Sequence, residues 1–274
     1  MISNKVGLIG GGNMARAICG GLLRGGMHAT DIMIAEPLTA QCDLLRKELY
    51  GTMITQNNKK VALASEILIF AVKPQILKPV CEDLIQEIQE SRPLIMSIAA
   101  GPVIDDIDDW LGGDLSIVRV MPNQPSLIDQ GISALFLNER TTEDNRALAE
   151  KIMSAVGHVV WLDSESQMDA VTAVSGTGPS YFYLLIDIMI EAAKKFGIDA
   201  DTARTLAVET ARGATSLAAA ETESMSALID RVKSPGGTTT AAFEYLEKMD
   251  ARQIFATAID EAEKRATELA KPSG

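Results

Sequence analysis

Gly10, Gly12 and Ala15 stand in the spacing G-x-G-x-x-A within "VGLIGGGNMARAI", after a short apolar run and at the opening of a helical pattern. In that context each small residue has a task toward a pyrophosphate. Gly10 allows a tight turn, Gly12 lets the backbone come close to the phosphates, and Ala15 lets helix and strand approach; the helix start adds N–H groups and a positive dipole. The spacing points to dinucleotide binding, against the plainer reading of a glycine-rich turn without a ligand. Glu36 closes "DIMIAE", about 20 residues on, where the fingerprint places a carboxylate that accepts from a ribose 2′-hydroxyl. A carboxylate there repels the 2′-phosphate of NADP unless it turns away. An ordinary solvated loop glutamate is the alternative. Lys59 and Lys60, after "QNN", pull toward a phosphate, so these residues leave NAD against NADP open.

A second stretch has the composition of a small-anion site. "KSPGGTTT", Lys233 to Thr240, interrupts a series of helical patterns with a proline, two glycines and three threonines. Proline fixes its own φ and lacks an N–H, and a glycine in a helix interior costs about 1 kcal/mol relative to alanine. Pro235 stiffens the turn, Gly236 and Gly237 let successive N–H groups face one side as a concave nest, and a helix beginning near Thr239 adds its dipole. A small carboxylate fits such a nest, with Ser234 donating a further hydrogen bond. A plain helix-breaking loop capped by Ser234 or Thr238 explains the same residues.

Metal, nucleophilic-triad and paired-carboxylate chemistries need residue sets that are mostly absent from the chain, so no metal is expected. The two histidines, His28 and His158, stand apart from other plausible ligands. "SGTGPSYFY", from Ser175 to Tyr183, is neither a nucleophile elbow nor a phosphate loop; Gly176 and Gly178 give a helix junction room beside a cofactor, and Pro179 suits a first helical turn. Many two-domain dehydrogenases of hydroxy acids carry an acid–base lysine just after such a junction, and residues 179–187 contain none. Reducing a protonated imine needs less help, because the iminium is already an electrophile and positioning supplies most of the acceleration.

The elements that position these residues follow two grammars. Apolar runs at 5–9, 32–35, 53–55, 67–72, 94–98 and 116–120 predict strands, with helical periodicity at 13–24, 38–49 and 77–89 between them. A further pair at 132–137 and 158–162 flanks a helix at 143–156. This alternation implies an α/β fold, a doubly wound, mostly parallel sheet of Rossmann type covered on both faces. In such sheets ligands lie outside the carboxyl ends of the strands, so "AVKPQ", "IAAG" and "VMPNQP" are expected along one crevice. After Asp163 only helical patterns follow, at 167–174, 179–196, 201–220, 226–232, 239–249 and 251–269. We expect a dinucleotide-binding domain over 1–165 and an all-α dimerisation and substrate-binding domain over 166–274. Helices rich in alanine and methionine make a thin core, so a second copy is expected to complete it.

With 274 residues, 47% hydrophobic and 23% charged, and a formal net charge of −12, the chain is expected to be globular and soluble. That charge argues against nucleic-acid and anionic-membrane partners. Cys19, Cys42 and Cys81 are scattered and odd in number, which suits a reduced, cytoplasmic compartment. The opening residues run straight into the glycine motif, and no stretch of about 20 apolar residues appears, so neither a leader nor a membrane span is expected.

Taken in order, "GLIGGGNMARAI", "AVKPQ", "SIAAG", "VMPNQP", "AVSGTGPSYFYLLIDIMIEAAKKFGI" and "DRVKSPGGTTTAAFEYLE" resemble the pyrroline-5-carboxylate reductases, over residues 6–270. The resemblance implies reduction of L-1-pyrroline-5-carboxylate to L-proline, the last step of proline biosynthesis, by hydride transfer from NADPH, or from NADH in some members. It implies cofactor contacts at Gly10, Gly11, Gly12, Asn13, Met14, Asn58, Ala71, Val72, Lys73, Pro74, Ile98, Ala99 and Ala100. It implies a substrate site at Ser234, Gly237, Thr238 and Thr239, with Ser175, and the catalytic Thr239 hydroxyl near the ring nitrogen. Family members are homodimers through interleaved C-terminal helices, often assembled further into a decamer. Glu36 and Pro37 depart from the small polar or basic residues of many NADP-using relatives; Arg231 and Lys233 receive no role. A hydroxy-acid dehydrogenase of the same architecture and a non-catalytic dinucleotide sensor are the competing readings.

Overall fold

The computed structural model describes residues 4–270. The alternating half forms β1 (Val6–Ile9), α1 (Asn13–Arg24), β2 (Ile32–Ala35), α2 (Thr39–Glu48), β3 (Met53–Thr55), α3 (Asn58–Ala64), β4 (Ile67–Phe70) and α4 (Pro74–Asp83). It continues with α5 (Ile85–Ser91), β5 (Leu94–Ser97), α6 (Ile104–Trp110), β6 (Ile117–Met121), β7 (Gly131–Leu137), α7 (Glu143–Ser154) and β8 (Gly157–Trp161). The strands make one sheet in the order β3-β2-β1-β4-β5-β6-β7-β8, parallel except between β6 and β7. The order reverses between β1 and β4, which is where doubly wound sheets open a crevice at their carboxyl edge.

Strand side chains alternate between two apolar layers, as a period of two requires. Val6, Leu8, Ile32, Ile34, Ile67 and Ile69 pack with Ile18 and Leu22 of α1 and Ile152 and Met153 of α7. Ile9, Met33, Leu68 and Phe70 pack on the other face with Val61 of α3, Leu77 of α4, Ile88 of α5 and Ile107 of α6. Each such side chain contributes about 1.5–3 kcal/mol by leaving water, which fixes the strand register that the site depends on.

Several elements differ from the pattern. The helix expected over 77–89 is two helices, starting earlier at Pro74 and broken at Leu84, whose φ of −106° and ψ of 3° leave the helical region. The strand expected over 67–72 ends at Phe70, freeing Ala71 and Val72 for a turn. Helices α3 and α6 were not signalled by periodicity. The first is capped by Asn57, which accepts from the Lys60 N–H at 3.0 Å; the second opens with Asp105 and Asp106 against its dipole.

The helical half contains α8 (Gln167–Val171), a π-turn at Thr172–Gly176, α9 (Gly178–Lys195), α10 (Ala200–Ala220), α11 (Met225–Val232), α12 (Thr238–Lys248) and α13 (Ala251–Ala270). By packing, the chain forms two units: one runs to Gly176 and includes the chain from Ala262 on, and the other is Thr177–Glu261. In the first, the Thr267 hydroxyl donates to Asp169 at 3.0 Å. In the second, Asp199 accepts from the Thr202 N–H at 3.0 Å and caps α10, and that hydrogen bond holds its carboxyl below the usual range. Among the described residues of this second unit only Gly178, Ala203 and Ala207 are buried. A bundle that buries only such small residues has no apolar core of its own.

Candidate active site

Register brings the cofactor candidates of the first unit into one row. Ile9 is level with Ala35 and Phe70, and Phe70 with Ser97, so the next residues, Gly10, Glu36, Ala71 and Ile98, all lie along the carboxyl rim of parallel strands. The Gly10 N–H donates to Ala35 at 2.8 Å and the Ala71 N–H to Ile9 at 2.8 Å. Gly10 has φ of 98°, and a side chain there would meet the Ala71 carbonyl oxygen at 2.7 Å, so turn and neighbour both demand glycine. Space over Gly12 is open to 4 Å, and no side chain caps α1. The first-turn amides at Asn13 and Met14 therefore face an open approach, which fits a pyrophosphate. Lys73 precedes α4 and Pro74 begins it, while Asn58 begins α3 behind the Asn57 cap.

Glu36 is not solvated. Only 7% exposed, it accepts from the Gly11 N–H at 2.9 Å through Oε2 and from the Leu38 N–H at 2.9 Å through Oε1. This corrects the reading of an ordinary loop glutamate: the carboxylate braces the glycine loop against the turn that follows β2. Gln41 adds to the brace by donating to the Gly11 carbonyl at 2.6 Å.

The loop at Ile98–Ala100 is held by a buried charge that the motif reading missed. Arg119, 4% exposed on β6, donates to Glu165 at 3.0 Å and to the Gly101 carbonyl at 3.0 Å. Glu165 also accepts from the Ile104 N–H at 2.8 Å at the start of α6. One ion pair thus ties both ends of the segment that follows β5. An arginine inside the otherwise apolar "IVRVM" was the signal available, since a buried charge must find a partner. Asn123, within "VMPNQP", accepts from the Ile132 N–H at 3.0 Å and donates to the Ser175 carbonyl at 3.1 Å. Ser175 lies in the π-turn with its hydroxyl donated to Val171 at 3.1 Å, leaving that oxygen able to accept but not to donate.

In the second unit Ser234, Gly237, Thr238 and Thr239 come together where α11 gives way to α12. Gly236 turns the chain with φ of 69°, and the Gly237 N–H donates to the Ser234 carbonyl at 2.8 Å. This corrects the expected nest of successive glycine amides: the Gly237 amide closes the turn instead. The Thr240 hydroxyl donates to the same carbonyl at 2.7 Å. Helix α12 begins at Thr238 with Gly237 before it and no side-chain cap, so neither Ser234 nor Thr238 is the helix cap. Among the described residues the hydroxyls of Ser234, Thr238 and Thr239 have no hydrogen-bond partner, and the uncapped N-terminus of α12 stands beside them. Lys233 lies over the Phe243 ring at 4.6 Å and Arg231 pairs with Glu221 at 3.1 Å, both bracing the corner. His28 and His158 are both exposed and far apart in the chain.

The glycine turn at the rim of a doubly wound sheet, followed by a coreless helical unit, defines a nicotinamide-dependent oxidoreductase with a dimerisation region. Two family profiles match: "NADP oxidoreductase coenzyme F420-dependent" over residues 5–101, and "Pyrroline-5-carboxylate reductase dimerisation" over residues 165–269. The chain is 36% identical to a pyrroline-5-carboxylate reductase of Pseudomonas aeruginosa, with 100% of both chains covered. It is 38% identical to the solved pyrroline-5-carboxylate reductase of Coxiella burnetii, with a TM-score of 0.90 over 99% of this chain and all 100% of that one. It matches the Plasmodium falciparum pyrroline carboxylate reductase crystallised with NADP bound at 25% identity and a TM-score of 0.90, over 99% and 100% of the two chains. The chain belongs to the pyrroline-5-carboxylate reductase family.

Proposed function

We propose that this chain reduces L-1-pyrroline-5-carboxylate to L-proline with NAD(P)H, closing proline biosynthesis. The observation that carries the reading is the set of free hydroxyls at Ser234, Thr238 and Thr239 over an uncapped helix start, in a chain whose other unit presents the glycine-turn rim. Gly10, Gly11, Gly12, Asn13, Met14, Asn58, Ala71, Val72, Lys73, Pro74, Ile98, Ala99 and Ala100 would hold a reduced nicotinamide cofactor at that rim, and the group would supply the hydride for the C=N carbon.

The chain's own residues hold the acceptor. Helix α12 offers its first free amides and its dipole to the substrate carboxylate, and Ser234 donates to the same group. Thr239 fixes the ring nitrogen, which is protonated before reduction, so its hydroxyl accepts from the iminium N–H. Helix α9 carries its first lysine at Lys194, so the acid–base lysine expected of a hydroxy-acid dehydrogenase is missing from its opening turns, and an electrophilic iminium does not require one.

Residues 1–165 bind the dinucleotide, and 166–274 dimerise and hold the substrate. The exposed apolar side chains of α9 to α13 support a homodimer through this region, and a decamer of chains built from such dimers is the larger assembly that the resemblance implies. The burial of Cys19, Cys42 and Cys81 as free thiols supports a reducing cytoplasmic compartment. The test is to mix purified protein with pyrroline-5-carboxylate and NADH or NADPH and follow the reduced-cofactor absorbance. Steady loss with formation of L-proline is expected; no loss with either cofactor ends the reading, and cofactor binding without turnover would favour a sensor.

A further inference from the structure

We propose that Glu36 makes this chain prefer NADH to NADPH, an inference that rests on reading it as a nicotinamide-dependent reductase. A carboxylate at the end of β2 admits NADP only if it can swing away from the ribose. Here it cannot do so without loss, because its two oxygens hold the amides of Gly11 and Leu38, each at 2.9 Å, and Gln41 closes on the same loop. Its position is tied to the glycine turn that receives the pyrophosphate. The charge therefore stays at the end of β2, where lone pairs not used by the amides would accept from the 2′-hydroxyl of a bound dinucleotide and would repel a 2′-phosphate.

Three cations of the sheet unit are already engaged. Lys59 lies 3.4 Å from Asp83 and 3.6 Å from Glu87. Arg16 makes two bonds of 2.6 Å to Glu48, and Arg46 reaches Asp43 at 2.8 Å. Directly after Glu36 stands Pro37, which has neither charge nor N–H to give a phosphate. Lys60 is exposed and provides the one competing pull from "QNNKK". A held carboxylate outweighs an exposed ammonium, because solvent screens the second far more than the first.

The test titrates the purified protein with NAD+ and with NADP+, reading thermal stabilisation, and in parallel measures kcat/KM for NADH and NADPH on pyrroline-5-carboxylate. Preference for the unphosphorylated cofactor by about tenfold or more is expected in both measurements. Glu36→Gln removes the charge while keeping one acceptor oxygen, and should move the ratio toward NADP by a similar factor; its melting temperature without cofactor reports any loss of the loop brace. Equal binding of the two cofactors by the wild-type chain, or tighter binding of NADP+, overturns the proposal, as does an unchanged ratio in Glu36→Gln. Turnover failing with both cofactors sinks the reductase reading, and the binding ratio alone still decides the role of Glu36.

Discussion

Thr239 and Gly237 separate two tasks at one turn. The Thr239 hydroxyl has no partner among the described residues, so Thr239→Ala removes a contact to substrate without leaving a buried group unpaired. We expect kcat/KM for pyrroline-5-carboxylate to fall about tenfold to a hundredfold, the scale of about 1.4 to 2.7 kcal/mol of lost transition-state contact, with cofactor affinity within about twofold of wild type. A large loss of cofactor binding in a titration would contradict that division. Gly237 has φ of −81°, which any residue adopts, but a methyl group there would overlap the Ser234 hydroxyl. Gly237→Ala should therefore push Ser234 aside and raise the substrate KM while melting near wild type; an unchanged KM would remove Ser234 from carboxylate binding. At this scale the sequence singled out residues whose local geometry it explained only in part. Gly10 was legible because a turn at positive φ is a local property. The closure of the Gly237 amide onto Ser234 and the brace of Glu36 on Gly11, 25 residues away, depend on three-dimensional partners and were not.

Among the elements, legibility follows burial. Strands β1, β2, β4 and β5 are buried along their whole length, so their apolar runs marked them within a residue or two. Helices α3 and α6, each of 7 residues, are too short to express a periodicity, and the break at Leu84 has no glycine or proline to announce it. The antiparallel turn from β6 to β7 follows from a short 3₁₀ connection at Gln124–Ile128 instead of a crossover helix. Arg119 on β6 makes an element-scale prediction. Glu165→Ala leaves that guanidinium buried with only the Gly101 carbonyl and also strips the acceptor from the start of α6. Because Glu165 is still 22% exposed, the cost should fall near the low end for broken buried pairs, about 3 kcal/mol, read as a lower urea midpoint. Arg119→Met with Glu165→Gln, which removes both charges and keeps an acceptor for Ile104, should recover most of it. No recovery in the double variant would mean that the loss lies in packing and not in the stranded charge.

For the whole molecule, the second unit sets the requirement. Its described residues bury little beyond Ala203 and Ala207, while Leu184 and Ile188 on α9 are 51% and 55% exposed. Spaced i and i+4, these two share one face of the helix. A monomer would leave that face wet along with the apolar side chains of α10 to α13, far more than scattered surface leucines. In a symmetric pair each substitution counts twice, and each such side chain contributes about 1.5–3 kcal/mol when it leaves water, so four removed contacts approach the stability of an ordinary dimer. Replacing them with carboxylates adds the penalty of burying unpaired charge. Leu184→Glu with Ile188→Glu should therefore give the monomer mass by light scattering at concentrations where the wild type is dimeric, together with a lower melting temperature. Because the sheet unit has two full apolar layers of its own, binding of the oxidised cofactor should survive in this monomer while turnover is lost. A variant that stays dimeric would move the interface off this face of α9, and a monomer with full turnover would show that one copy holds a complete site.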